Sequence, residues 1–505
     1  MSSAASGKGV SRRSLLVGGA GVLAGTALAG RAAAVPTTRL FSASDPHVRA
    51  ALKVLGKGKL RHPGSRPFPH LAAGTDTMPG IEHIVVLMLE NHSYDNFLGM
   101  LGRGKGQTPR GDGFTIGANG KPTASNPYGD GRIQHAFRMP TTCQLHSQPS
   151  NEWTASHQQF NHGKMDGFVR SQISPTFYKQ NGPVAMGYWT ERDLPFTYDL
   201  ATHFPVCDRF FCSLLGQTHA NRRFLIAGTS AGMTGDFETE VNQLPSDVSL
   251  VLPPNGTIFD RLSAHGISWT DYCASFPLGA TAELFPVADV QNLVKNKPLE
   301  AFFADAAAGT LPSFSLIDPD FGTQSQENPQ NIVVGEKLLQ EVVEAIGKSP
   351  AWHKTVFILT YDEHGGYYDH VPPPVALAPD LIAPLVGLKE KQYDGFRRYG
   401  FRVPTVVVSP YAKRHHVSSQ VYDFGSILAF VERKWNLGAL TYRDANANDL
   451  TDCLDMDALQ RKEPTFPKLP KLRKANYRAA TLKCSTAGPG QIPPKWSVSG
   501  KRKKD

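Results

Sequence analysis

The chain predicts an α/β fold, a doubly wound, mostly parallel sheet with helices on both faces and long loop insertions. Three observations carry that expectation. Ile84–Leu89, Val356–Leu359 and Val403–Val408 are short apolar runs closed by polar or turn residues, the pattern of strands buried on both faces of a sheet. Ile332–Ile346 instead spaces its apolar residues at the helical period and meets Gly347, just ahead of the Val356–Leu359 run. Helical and strand-like patterns alternate along the chain, as they do where helices cross over between parallel strands.

The first 34 residues stand outside that fold. Ser11-Arg12-Arg13-Ser14-Leu15-Leu16 is a twin-arginine pattern, Val17–Ala29 is too short for a comfortable membrane span, and Ala32-Ala33-Ala34 supplies small residues for cleavage. The expected partner is therefore the twin-arginine export machinery. The expected location is extracytoplasmic: periplasmic, secreted or cell-wall associated. Residues 35–80, rich in Pro, Gly and Ala, read as an extended arm, 81–450 as the main domain, and 451–505 as a C-terminal extension with a basic tail. Inside the main domain, 102–180 is a long Gly/Pro/Asn/Gln-rich insertion in which Asn151–Asn161 can be helical. A further helix is expected from near Thr218, another over Thr257–His265, a short strand over Pro312–Ile317 and a helix over Phe424–Trp435.

The net charge of +9 is partly signal, because the first 34 residues hold four Lys/Arg and no Asp/Glu, leaving 49 basic against 44 acidic residues. Lys501-Arg502-Lys503-Lys504 concentrates much of the rest in a tail that reads as solvated charge or as a peripheral contact to an anionic membrane surface. No nucleic-acid-binding module accompanies it, so no nucleic-acid partner is expected. Six cysteines occur without a Cys-x-x-Cys pair, which argues against a thiolate zinc site and leaves one to three disulfides of unreadable connectivity.

Glu90-Asn91 and Asp362-Glu363 each close one of the buried runs. In open α/β sheets, functional groups gather beyond the carboxyl ends of the strands. Two distant segments could there bring four oxygen-bearing side chains around one hard cation. The plain alternative is that each acidic pair caps its own strand at the surface.

Glu90-Asn91-His92-Ser93-Tyr94-Asp95 resembles the Glu-Asn-Arg-Ser-Phe-Asp signature of the bacterial phosphoesterase family, which contains phospholipases C and related acid phosphatases. Asp362-Glu363-His364-Gly365-Gly366-Tyr367-Tyr368-Asp369-His370 resembles its second hallmark. Gly163-Lys164-Met165-Asp166-Gly167-Phe168 and Gly216-Gln217-Thr218-His219-Ala220-Asn221-Arg222 are similar to two intermediate motifs. The likeness runs, with gaps, from Ile81 to Asn436. It implies an alkaline-phosphatase-like fold holding one divalent metal ion through Glu90, Asn91, Thr218, Asp362 and Glu363. It also implies Thr218 as nucleophile and Asn221 as holder of a phosphate oxygen. The all-oxygen ligand set favours a hard ion such as Ca²⁺, Mg²⁺ or Mn²⁺.

A Thr hydroxyl needs activation, which metal coordination supplies, and the start of a helix at Thr218 favours a phosphate. The structural alternative for Thr218 is a helix cap. A departing alkoxide needs a proton, and His157, His370, His364 and His146 are the candidate donors. Trp153, Phe177, Tyr178, Tyr188 and Trp189 could box a cationic head group or simply be core. The family often carries a His-Pro pair where this chain has Asn328-Pro329, and His92 replaces the usual Arg. The implied activity is a phospholipase C acting on phospholipid or another phosphate ester, with an acid phosphatase as alternative. A more distant alternative is a serine esterase using Ser230 in Gly228-Thr229-Ser230-Ala231-Gly232.

Overall fold

A computed structural model describes residues 41–145, 147–171, 181–236, 252–276, 281–285, 294–387, 390–481, 484 and 492–502. The expected export signal and His146, Phe177 and Tyr178 lie outside the described residues. One sheet of eight strands organises the rest: β1 (His83–Leu89), β2 (Val206–Cys207), β3 (Trp269–Cys273), β4 (Lys297–Pro298), β5 (Phe314–Asp318), β6 (Thr355–Tyr361), β7 (Val406–Val408) and β8 (Val417–Ser418). Their order across the sheet is β8-β2-β7-β6-β1-β5-β3-β4.

All neighbours pair parallel except β7, which is antiparallel to both β6 and β2. That strand, within the expected Val403–Val408 run, is the exception in a mostly parallel sheet. Apolar strands look alike whichever way they run, so an antiparallel member is invisible in their pattern. β1 and β6 are the central pair. Every residue of β6 and all of β1 after His83 are buried, which accounts for their unbroken apolar runs.

The helices used below are α1 (Pro46–Val54), α2 (Tyr94–Leu98), α3 (Trp153–Phe160), α4 (Pro195–His203), α5 (Thr218–Ala227), α6 (Ile258–Ala264), α7 (Leu299–Ala308), α8 (Ile332–Lys348) and α9 (Phe424–Trp435). α8 is the expected crossover helix, started by Asn331, whose side chain accepts from the Val333 N–H. Gly347 lies inside it rather than ending it, because Leu469 packs where a Cβ would sit, 2.7 Å away. Glu336 of α8 accepts the Phe196 and Thr197 N–H groups and so caps α4 from outside.

The segment expected to be an extended arm contains α1. Asp45 caps it, Pro46 occupies its first turn, and Val48, Ala51, Leu52 and Leu55 bury against Leu377. At the other end, Val498–Ser499 pairs antiparallel with Ile133–Gln134 of the insertion. A Cys143–Cys484 disulfide also ties extension to insertion, whereas Cys207, Cys212, Cys273 and Cys453 are buried thiols outside any disulfide.

Candidate active site

Register builds the site. The β1–β6 ladder pairs Leu89 with Tyr361, and the Asp362 N–H donates to the Leu89 carbonyl at 3.2 Å. Glu90-Asn91 and Asp362-Glu363 therefore leave the sheet side by side at its carboxyl edge. Beyond them the chain turns tightly at Gly365, where the φ of 63° and a Cβ position only 2.1 Å from the Asn91 carbonyl oxygen exclude any other residue.

The Asn91 amide lies 2.9 and 3.1 Å from the two Asp362 oxygens and 3.2 Å from Oε1 of Glu363. With Nδ2 turned inward it donates to both carboxylates. With Oδ1 turned inward it joins their oxygens, and Thr218 Oγ1 then reaches it at 3.4 Å. Thr218 is the first residue of α5 rather than its cap, since Gln217 takes the cap position without a side-chain bond. The hydroxyl thus sits in the first turn, where N–H groups have no partner within the helix.

Arg222 follows Thr218 by one helical turn and so shares its face of α5. Fully buried, it binds Asp318 at 2.8 Å and Glu90 at 3.3 Å, with Nε 3.8 Å from Asp362. One guanidinium does not balance these acids. Burial raises Glu90 and Asp362 well above the carboxylate range and pushes Glu363 up to about 8. Crowded buried carboxylates, an amide oxygen and a hydroxyl form a donor set that suits a hard divalent cation. Glu90, Asn91, Thr218, Asp362 and Glu363 could hold one.

Among the described residues, the acid-and-histidine group whose ligand atoms all lie within 4.8 Å of one another is a different one, Asp95, Asp369 and His370. Arg402 lies in that group, 3.2 Å from Asp95 and 2.9 Å from Asp369. The buried Arg402 guanidinium and His370 together balance Asp95 and Asp369, so this second group is an ion-pair network.

The predicted proton donors take other roles. His370 donates toward Asp95 at 2.7 Å and Asp112 at 3.2 Å. Burial opposes its charge, but those carboxylates raise it to about 10, too high for a donor working near neutral pH. His364 is buried between Oε2 of Glu363 at 3.1 Å and Oε1 of Gln159 at 2.7 Å, and burial lowers it to about 3. Its contacts position a carboxylate.

His157 turns Nδ1 to the Trp153 carbonyl at 2.8 Å and Nε2 to Asp394 at 3.8 Å, with its ring stacked 3.9 Å from Tyr393. His157 and Gln159 lie two residues apart on α3, so they face opposite sides of that helix. In all three histidines both ring nitrogens face protein acceptors.

Asn221 is also reassigned. Its Oδ1 accepts the Ser213 and Leu214 N–H groups and its Nδ2 donates to Gly216 and Gln217 carbonyls, so it locks the loop that presents Thr218. Asn328 donates to the Leu145 carbonyl and accepts from the Tyr367 hydroxyl, which puts a neutral amide where a histidine is usual. His92 is fully buried, stacked 3.9 Å from Phe97, and burial holds it at about 3. Trp153, Tyr188 and Trp189 belong to the hydrophobic core.

The Ser230 alternative fails on local structure. A nucleophile elbow needs a strand before it, and Phe224–Ala227 is the last turn of α5, closed by Gly228. Sequence reasoning missed Arg222, Asp318, Asn151, which donates to Glu363 at 2.7 Å, and Gln159. Of these only Arg222 carried a signal, its helical spacing from Thr218.

The fold and this site define a hydrolase acting on phosphate esters. The phosphoesterase family model matches residues 81–438, and the chain belongs to that family. Phospholipase C B of Mycobacterium tuberculosis is 30% identical over 452 residues, covering 80% of this chain and 83% of that protein. Non-specific phospholipase C3 of Arabidopsis thaliana is 30% identical over 438 residues, covering 80% and 79%. Non-hemolytic phospholipase C of Pseudomonas aeruginosa is 29% identical, covering 79% of this chain and 60% of that one. A solved Vibrio parahaemolyticus protein of the alkaline phosphatase superfamily gives a TM-score of 0.30 at 9% identity, covering 53% and 65%.

Proposed function

We propose that the chain is a metal-dependent phospholipase C that cleaves the glycerol-side phosphodiester of phospholipids, with Thr218 as nucleophile. The observation that carries this reading is the β1–β6 register, which gathers Asn91, Asp362 and Glu363 against Thr218 at the start of α5. The names of the relatives above, matched over most of their length, support the diester over the monoester reading.

A divalent ion held by Glu90, Asn91, Thr218, Asp362 and Glu363 would supply Lewis acidity to the Thr218 oxygen and to the phosphate. The Thr218 hydroxyl donates to Asn91 Oδ1 at 3.4 Å, which aims its oxygen at this donor set. Glu363 is fixed by Asn151, His364 and the Gly365 N–H. Asn221 fixes the loop ahead of Thr218, so that the hydroxyl stays at the α5 terminus, whose N–H groups favour an anion. With His157, His364 and His370 engaged elsewhere, His146 remains the proposed donor to the departing alkoxide. The carbonyl of neighbouring Leu145 accepts from Asn328.

Export through the twin-arginine machinery to an extracytoplasmic location, with peripheral contact to a membrane surface, belongs to the same proposal. The Cys143–Cys484 disulfide supports an oxidising compartment. The test compares phosphatidylcholine with p-nitrophenyl phosphate before and after chelation. The expected result is faster turnover of the diester, lost with the metal and restored by a divalent ion. Turnover of the monoester alone would select an acid phosphatase, and activity indifferent to chelation would remove the metal.

A further inference from the structure

Asp236 lies just beyond the motifs that build the site. It ends a segment that returns over the loop ahead of α5. Gly216 faces the Thr234 carbonyl so closely that a Cβ would come within 2.8 Å, and the Thr234 hydroxyl donates to the Leu385 carbonyl at 3.0 Å. Asp236 is clamped by His219, the residue after Thr218. Its Oδ1 accepts the His219 N–H at 2.8 Å, and its carbonyl oxygen faces His219 Nδ1 at 3.0 Å.

That N–H belongs to the first turn of α5, which has no side-chain cap of its own. A fixed carboxylate therefore occupies one of the donors at the helix end where a phosphate must approach Thr218. Among the described residues no Lys or Arg forms an ion pair with it. Its charge lies beside the site, since the N–H it accepts belongs to the residue next to Thr218 in the first turn of α5.

We infer that Asp236 is a specificity-determining residue, whose charge favours phosphodiesters over phosphomonoesters. The inference rests on the proposed phosphoesterase role of the Thr218 site. A diester carries one negative charge, whereas a monoester carries close to two above a second pKa of about 6. Coulomb repulsion is proportional to charge, so the same carboxylate penalises the monoester about twice as strongly in free energy. Removing it should raise the monoester rate by about the square of the diester gain.

Asp236→Asn keeps an oxygen to accept the His219 N–H and removes the charge. The assay is kcat/KM for bis-p-nitrophenyl phosphate and p-nitrophenyl phosphate with the metal-loaded full chain at a fixed, mildly alkaline pH. The expected gains are about threefold for the diester and about tenfold for the monoester, the size of one charge interaction at partly screened distance. Competitive inhibition by inorganic phosphate should tighten by about tenfold as well. Asp236→Glu should keep the wild-type ratio.

Added salt should narrow the difference between the parent and Asp236→Asn, and narrow it more for the monoester than for the diester. Equal changes for both substrates in Asp236→Asn, or a salt response blind to substrate charge, would overturn the inference while leaving the phosphoesterase reading intact. Full turnover in Thr218→Ala would instead remove the site on which both stand.

Discussion

Two buried acidic clusters form beyond the sheet, built from the same two sequence motifs, and they differ in charge balance. Around Thr218, Glu90, Asp318 and Asp362 share the single guanidinium of Arg222, and Glu363 is held by Asn151, His364 and the Gly365 N–H. Around His370, three carboxylates (Asp95, Asp112 and Asp369) face three cations, Arg209, Arg402 and His370. Glu90 and Asp95 come from one motif, Asp362 and Asp369 from the other. A count of acids and histidines favours the second cluster as a cation site. The charge ledger favours the first, because only there do oxygen donors outnumber the cations the protein supplies.

The sharpest way to break this contrast is Thr218→Ala. The active cluster should lose turnover by on the order of ten-thousand-fold while the thermal midpoint stays near that of the parent, measured by diester assay and calorimetry. Arg402→Met should do the reverse. It strips a fully buried cation from two carboxylates and should lower unfolding free energy by about 3–5 kcal/mol in denaturant titration, with bound metal per folded chain unchanged.

His364→Ala sharpens the boundary of the first cluster. If His364 positions Glu363, metal affinity should weaken by about 10–100-fold in a competition titration, and the pH dependence of turnover should keep its shape. A lost ionisation in that profile would make His364 a proton donor after all.

The smallest effect concerns pH. Folding raises His370 to about 10, so its contribution to stability is complete below its unfolded value of about 6.5 and is lost as pH rises through the folded value. Asp112, held by its hydrogen bond to His370, is lowered to about 2, and its contribution is present above the unfolded value of about 3.8 and fails in strong acid. The gap in thermal midpoint between parent and His370→Ala should therefore be widest near pH 6 and close toward pH 10 and above. A gap independent of pH would place His370 outside the ion-pair network.

Much of the site was legible because its pieces are local. Glu90-Asn91 and Asp362-Glu363 announce themselves as oxygen donors at the ends of apolar runs, and Thr218 begins a helix with Arg222 one turn on. The surroundings of the histidines were not legible, for a physical reason. A histidine's role is set by what stands beside each ring nitrogen, and Asp112, Gln159 and Asp394 come from segments far from the histidines they bind. Those of Asn221 were not legible either, since its partners are backbone groups of a loop whose path no side chain reveals. Asp236 lies 18 residues beyond Thr218, in a segment with no periodic pattern to mark its return.

By itself, the order of residues determined which stretches become buried strands, where the crossover helix α8 runs, and which side chains could offer oxygen to a cation. Hydrophobic period and donor chemistry are properties of neighbours along the chain, and they survive without any knowledge of the fold. Only the tertiary structure decided that Leu89 pairs with Tyr361, that β7 runs antiparallel, and which of two acidic clusters receives a cation for every carboxylate. Those outcomes depend on the sum of charges and hydrogen bonds in a volume closed to water, and that volume exists only after distant segments have met.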